Sequence, residues 1–183
     1  FYYLWQNYTH KVTDLVVSAY NEVYGSTGNT RNVKTDGIQK VHLWGGSDDE
    51  DVYSGITYNM MTREDVTEVL PPTLYNIQLW DSSNGSVAPT LMAKGYDVVL
   101  SNVDYVYLDA GNAGTFNAGG IWCQPYHEWS HMYEYLTDVH CAWNLTAELS
   151  THILGSETVV WSEMIDSMNI EQKIWPRTAG LAE

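Results

Sequence analysis

Apolar side chains recur every three or four residues through Leu4, Tyr8, Val12, Leu15, Val16, Ala19 and Val23, a period that predicts a helix burying one stripe. Gly25 is placed to end it, and a polar loop over residues 26–36 leads to an apolar run at 38–44, read as a short strand. Residues 55–58 are a candidate next strand. Thr62 stands before Arg63, Glu64 and Asp65 as a helix N-cap, and Pro71-Pro72 stops that helix. The pattern predicts a strand at 75–80, a short helix at 86–94 closed by Gly95, and an apolar strand at 97–101 buried on both faces. An extended piece at 103–109 follows, then a Gly- and Ala-rich loop at 110–120 and an aromatic-rich helix at 125–136. The chain closes with a strand at 158–165 and a helix at 170–182 that Pro176 interrupts or begins.

Strands alternating with helices predict an α/β fold of parallel βαβ units. Such folds place ligand sites just past the strand C-termini, where charged and aromatic residues cluster here. One spacing does not fit. The ten residues between Trp44 and Gly55 fall short of the dozen or so that a parallel crossover needs. Either these strands are not neighbours in one parallel sheet, or residues are absent near 51–55 relative to the parent fold.

Composition narrows the function. The 183 residues, 44% of them hydrophobic, suit one domain with a core. Lys+Arg 8 against Asp+Glu 23 leaves a charge of -15, which argues against nucleic acid and anionic membrane surfaces as partners. Eight Trp and fourteen Tyr against two Phe favour amphipathic rings, as expected where aromatic faces meet sugars. No run has the length of a transmembrane helix. The first residues lack both signal-peptide order and an initiator Met, so the chain reads as a mature product or a fragment. Sequons at Asn7, Asn84 and Asn144 are compatible with a secretory route. Cys123 and Cys141 can pair with each other, or one can pair outside the chain.

The candidate chemistry starts at residues 41–52. The apolar run ends in Gly45-Gly46, and Asp48, Asp49, Glu50 and Asp51 fall within the next five positions. Glycines allow close backbone approach to a ligand. Crowded carboxylates raise the proton affinity of at least one, which a general acid requires. Two aromatic–carboxylate pairs, Tyr107 with Asp109 and Trp161 with Glu163, lie two apart in segments read as extended and so share a face. Each offers a plate for sugar C–H groups and an acceptor for hydroxyls, and Trp80 adds a wall. His127-Glu128-Trp129-Ser130-His131 matches H-E-x-x-H. Its aromatic neighbours Tyr126, Tyr133 and Tyr135 favour a helix packed on a sheet over a zinc hydrolase, and no metal or cofactor is expected.

Several motifs in order resemble the glycoside hydrolase family 20 β-N-acetylhexosaminidases. They are Leu74-Tyr75-Asn76-Ile77-Gln78-Leu79-Trp80, Lys94-Gly95-Tyr96-Asp97-Val98-Val99-Leu100-Ser101 and Val106-Tyr107-Leu108-Asp109. Trp122-Cys123-Gln124-Pro125-Tyr126 with Trp129 is similar to the insect-type branch. Leu154-Gly155-Ser156-Glu157, Trp161-Ser162-Glu163 and the run from Ile174-Trp175-Pro176-Arg177 to Glu183 resemble the family's C-terminal signature. The family's acid motif H-x-G-G-D-E maps to His42, Gly45, Gly46, Asp49 and Glu50, with Trp44 and Ser47-Asp48 inserted.

The resemblance implies a partial TIM (β/α)8 barrel carrying the later strands and helices, with residues 1–183 part of one catalytic domain. It implies an exo-acting enzyme that releases terminal GlcNAc or GalNAc with help from the substrate's own acetamide, outside the two-carboxylate scheme. Asp49 and Glu50 would be catalytic. Trp80, Tyr107, Asp109, Trp161 and Glu163 would bind an amino-sugar oligosaccharide or glycoconjugate. A homodimer or a companion chain would supply the rest of the barrel, in a secreted or lysosomal setting. The inserted residues motivate a second expectation, a relative that binds glycans or serves structurally without turnover.

Overall fold

The computed structural model describes residues 2–25, 40–45, 64–80, 87–109, 126–162 and 165–183. Strands β1 (Val41–Gly45), β2 (Tyr75–Leu79), β3 (Asp97–Leu100) and β4 (Ile153–Ser156) form one sheet in chain order, each neighbouring pair parallel. Among the described residues the helices are α1 (Tyr2–Gly25), α2 (Val66–Val69), α3 (Val87–Ala93), α4 (Val103–Val106), α5 (Trp129–Ala142), α6 (Ala147–Ser150), α7 (Ile170–Ile174) and α8 (Arg177–Ala182). Parallel strands in sequential order with helices between them are the local grammar of an α/β barrel wall.

The core is built from β2 and β3. Ile77, Leu79, Val98 and Leu100 are buried against Val66, Leu70, Leu91, Met92, Tyr135 and Val139. Gly95 ends α3 as the sequence predicts. At φ +87 its N–H reaches Met92 O at 2.9 Å and the Tyr96 N–H reaches Leu91 O at 3.1 Å, the paired bonds of a Schellman stop. The chain then enters β3 at once. Tyr96 is fully buried, and its hydroxyl donates to Leu70 O at the end of α2, giving a carbonyl that the helix leaves open a partner. At the far end α5 lies against α8, where Gly180 faces the Trp129 carbonyl. A Cβ there would stand 2.5 Å from that oxygen, so only a hydrogen fits between the helices.

Several expectations are corrected. Helix α1 forms, but it docks through Thr9, Thr13 and Val17. Thr13 Oγ1 meets Tyr75 Oη at 2.9 Å and His10 Nε2 donates to Val69 O at 2.6 Å. Leu4, Tyr8, Val12, Leu15 and Val16, the stripe expected inside, are exposed. Beside them runs a groove of about 390 Å³ between α1 and β1, lined by Tyr8, Val12, Val16, Val41 and Leu43 among others. The apolar period found the helix, but specific polar contacts set its rotation.

Strand β3 is buried on one face and half-buried on the other. Residues 103–106 are not extended: β3 ends, the Val106 N–H closes on Asn102 O at 3.0 Å, and a helical turn forms before Tyr107, which is extended. The strand expected at 158–165 is displaced to β4. There Leu154 is bulged out of register and Gly155 takes φ +149, a conformation that favours glycine and breaks alternation. Helix α5 runs to Ala142 rather than 136, and Pro176 divides α7 from α8. β1 pairs directly with β2, so the crossover comprises residues 46–74. The candidate strand at 55–58 and Thr62 lie outside the described residues; α2 begins after Asp65.

Candidate functional site

Gln78, Ser101 and Glu157 meet near the C-terminal edge of the sheet, and His42, the second residue of β1, reaches up to them. Gln78, 3% exposed on β2, lies at the centre. Its Nε2 donates to Ser101 Oγ, just past β3, and to Glu157 Oε2, just past β4, each at 2.9 Å. Its Oε1 faces Nε2 of His42, on β1, at 3.0 Å. A glutamine inside a buried strand requires such partners, because an unpaired amide there would cost on the order of 1–3 kcal/mol. No sequence period signals this network, although Gln78 between Ile77 and Leu79 marks a polar residue in an apolar strand.

The aromatic plates come to the same edge. Trp80 follows β2 directly and is half-buried. Tyr107 forms a parallel bridge with Val159, held by Leu108 N–H to Val159 O at 2.8 Å and Val159 N–H to Val106 O at 2.9 Å. These short stretches lie side by side, and two residues further on stand Asp109 and Trp161. Tyr107 and Asp109 therefore run beside Val159 and Trp161, through one bridge and a turn rather than two strands. Trp161 and Trp44 are both about half exposed, with ring centroids 6.3 Å apart and planes tilted by 54°. Trp44, an insertion in the acid motif by sequence, thus stands against Trp161, a neighbour that sequence reading missed. Asp109 is buried. Asp49, Glu50 and Glu163 lie outside the described residues; β1 ends at Gly45, four positions before Asp49.

Arg177 fixes the backbone beside Asp109. Its guanidinium is 2% exposed, donates through Nη2 to Leu108 O at 2.6 Å and through Nε to Lys173 O at 3.0 Å, and lies 4.6 Å over the Tyr126 ring. Burial lowers the proton affinity of Arg177 and Lys173, while the charge of Asp109 opposes that on both.

The H-E-x-x-H run leads into α5 and packs on Tyr105 of α4. His127 and His131 stack at 4.1 Å, and Tyr105 of α4 stacks on His131 at 4.1 Å. Burial, then the charge of His131, holds the His127 imidazole below its ordinary pKa. Burial and the hydrogen bond to Asp138 push the Tyr105 phenol up to about 12. Among the described residues no three His, Cys, Asp or Glu gather to hold a metal ion. Asn7 and Asn144 are exposed, Asn84 lies outside the described residues, and Cys141 carries a free, exposed thiol. Among the described residues no helix is long and apolar enough to cross a membrane.

The profile of the glycosyl hydrolase family 20 catalytic domain matches residues 50–183. A probable beta-hexosaminidase of Arthroderma benhamiae is 35% identical over 147 residues, covering 68% of this chain and 23% of that protein. A chitooligosaccharidolytic beta-N-acetylglucosaminidase of Ostrinia furnacalis is 32% identical over 127 residues, covering 69% and 20%. The solved structure of a GH20 exo beta-N-acetylglucosaminidase from Vibrio harveyi superposes with TM-score 0.51 at 19% identity, over 91% of this chain and 24% of that one. The chain spans about a fifth of the length of these curated relatives.

Proposed function

The chain belongs to glycosyl hydrolase family 20, and on that footing we propose that it carries the acid motif and the later barrel strands of an exo-β-N-acetylhexosaminidase. The substrate is a terminal GlcNAc or GalNAc on a chitooligosaccharide or glycoconjugate. The observation that carries this reading is the Tyr107–Val159 bridge. It sets the Tyr107–Asp109 stretch beside the segment that runs from Val159 to Trp161, past the strand ends where a barrel places its ligand.

The chemistry divides among the chain's own groups. The acetamide oxygen of the substrate attacks the anomeric carbon and the glycosidic C–O bond breaks. Glu50 gives its proton to the leaving oxygen, then takes one from the water that opens the oxazolinium ring. Asp49 holds the acetamide N–H and offsets the positive charge, and Tyr107 donates to the acetamide oxygen. Trp80 and Trp161, joined by Trp44, wall the sugar; Asp109 and Glu163 accept from its hydroxyls. The remaining barrel strands come from a companion segment or a second subunit, and the working compartment is secretory or lysosomal.

Hydrolysis of a fluorogenic β-GlcNAc glycoside tests the reading. Glu50→Gln should remove turnover by about 10²-fold or more, the scale of general acid–base catalysis. Saturable glycan binding with no release in the unaltered protein would overturn the hydrolase and favour the glycan-binding alternative that the inserted Ser47-Asp48 suggests.

A further inference from the structure

Gln78 has a planar amide that makes three hydrogen bonds, two through nitrogen and one through oxygen, each to a residue on or just past a different strand. Oxygen and nitrogen of an amide are told apart by their partners. A carboxylate oxygen only accepts, so the group facing Glu157 must be the nitrogen. Oε1 is thereby turned to His42. An amide oxygen also only accepts, so Nε2 of His42 must hold the hydrogen of that 3.0 Å bond. In the neutral ring this leaves Nδ1 as the lone-pair acceptor. The proton position on β1 is set by a carboxylate on the far side of the sheet, with Gln78 as the intermediary.

We propose that Gln78 is a positioning residue of the strand-end site. It transmits the orientation fixed by Glu157 to His42, locks the His42 ring as the Nε2–H tautomer, and holds β1 where it runs into Gly45 and the acid motif. A neutral amide suits this role, because it joins residues on or just past four strands without adding a charge of its own. Its effect on turnover rests on the hydrolase reading; its effect on His42 does not.

Nitrogen NMR of the protein with labelled histidine separates the two. Unaltered protein at neutral pH should show His42 as one tautomer, with a pyrrole-like Nε2 and a pyridine-like Nδ1. Glu157→Gln replaces an obligate acceptor by a group that can present either end. Gln78 can then turn over, and His42 should become a mixture of tautomers. Ser101→Ala should keep the single tautomer, because Glu157 still fixes the amide. In the activity arm, Gln78→Leu should lower kcat about tenfold or more while KM moves less than about threefold, the signature of lost transition-state positioning.

An Nδ1–H or mixed His42 in the unaltered protein, or an unchanged single tautomer in Glu157→Gln, would overturn the proposal. So would an unchanged kcat in Gln78→Leu. The tautomer pattern in a protein without hydrolysis would support the positioning of His42 and sink the hydrolase reading instead.

Discussion

Toward the strand C-termini Gln78, Ser101 and Glu157 are joined through a neutral amide that also reaches back to His42 near the start of β1, whereas at the N-termini Lys40, Asp97 and His152 are joined through charge. Asp97 opens β3 and receives Lys40, from just before β1, on one oxygen and His152 Nδ1, from just before β4, at 2.9 Å on the other. Both clusters tie non-adjacent strands of the same sheet, yet they respond to different variables. Partial burial pushes the Asp97 carboxyl up, but the hydrogen bonds and charges of Lys40 and His152 outweigh it and hold the pKa below the ordinary 3.8. An amide has no pKa to shift. The charged end ties the sheet in a way that acid and salt can loosen. The amide end fixes directions, which is what a site needs.

The comparison breaks if both ends matter equally to catalysis. Gln78→Leu depresses kcat as above, whereas Asp97→Asn should leave kcat within about twofold, since bottom-face groups of a barrel serve stability. Next in size, Asp97→Ala should lower stability in urea by roughly 1–2 kcal/mol, because two partly buried donors lose their acceptor. Acid sharpens the contrast further. A carboxyl whose folded pKa is depressed contributes stability above its unfolded value, near 3.8, and loses it as pH falls through the lower folded value. The melting-temperature gap between the unaltered protein and Asp97→Asn should therefore stay constant at neutral pH and close below about pH 4. Smallest is the salt effect: half-molar sodium chloride should reduce the Asp97→Ala penalty by a few tenths of a kcal/mol. The same salt should leave the Gln78→Leu penalty unchanged.

Patterns confined to a few neighbouring residues were legible in the sequence. β2, β3 and α3 with its Gly95 stop follow from local periodicity, and Pro176 divides α7 from α8 as proline chemistry requires. Alternation misled where one residue overrode it. Gly155 hid β4, and the β-branched run at 158–160 drew the strand there, although Val159 makes a single bridge. Tyr107, Asp109, Trp161 and Trp80 could be chosen because an aromatic beside a carboxylate is a local signal. The Gln78 network could not, because its bonds cross 36, 23 and 79 residues and require the strand order before they can be seen. Helix α1 shows a third case: its period was correct, but hydrogen bonds from Thr13 and His10 rather than hydrophobicity fixed its roll.

That roll governs how the segment behaves when handled by itself. Leu4, Tyr8, Val12, Leu15 and Val16 form an oily ridge facing water on a polypeptide carrying fifteen surplus negative charges. Mutual repulsion keeps copies dispersed in dilute buffer. Adding electrolyte shortens its reach to about 3 Å at 1 M, and the ridge then decides the outcome. Turbidity should climb with ionic strength, and Leu15→Lys should postpone it.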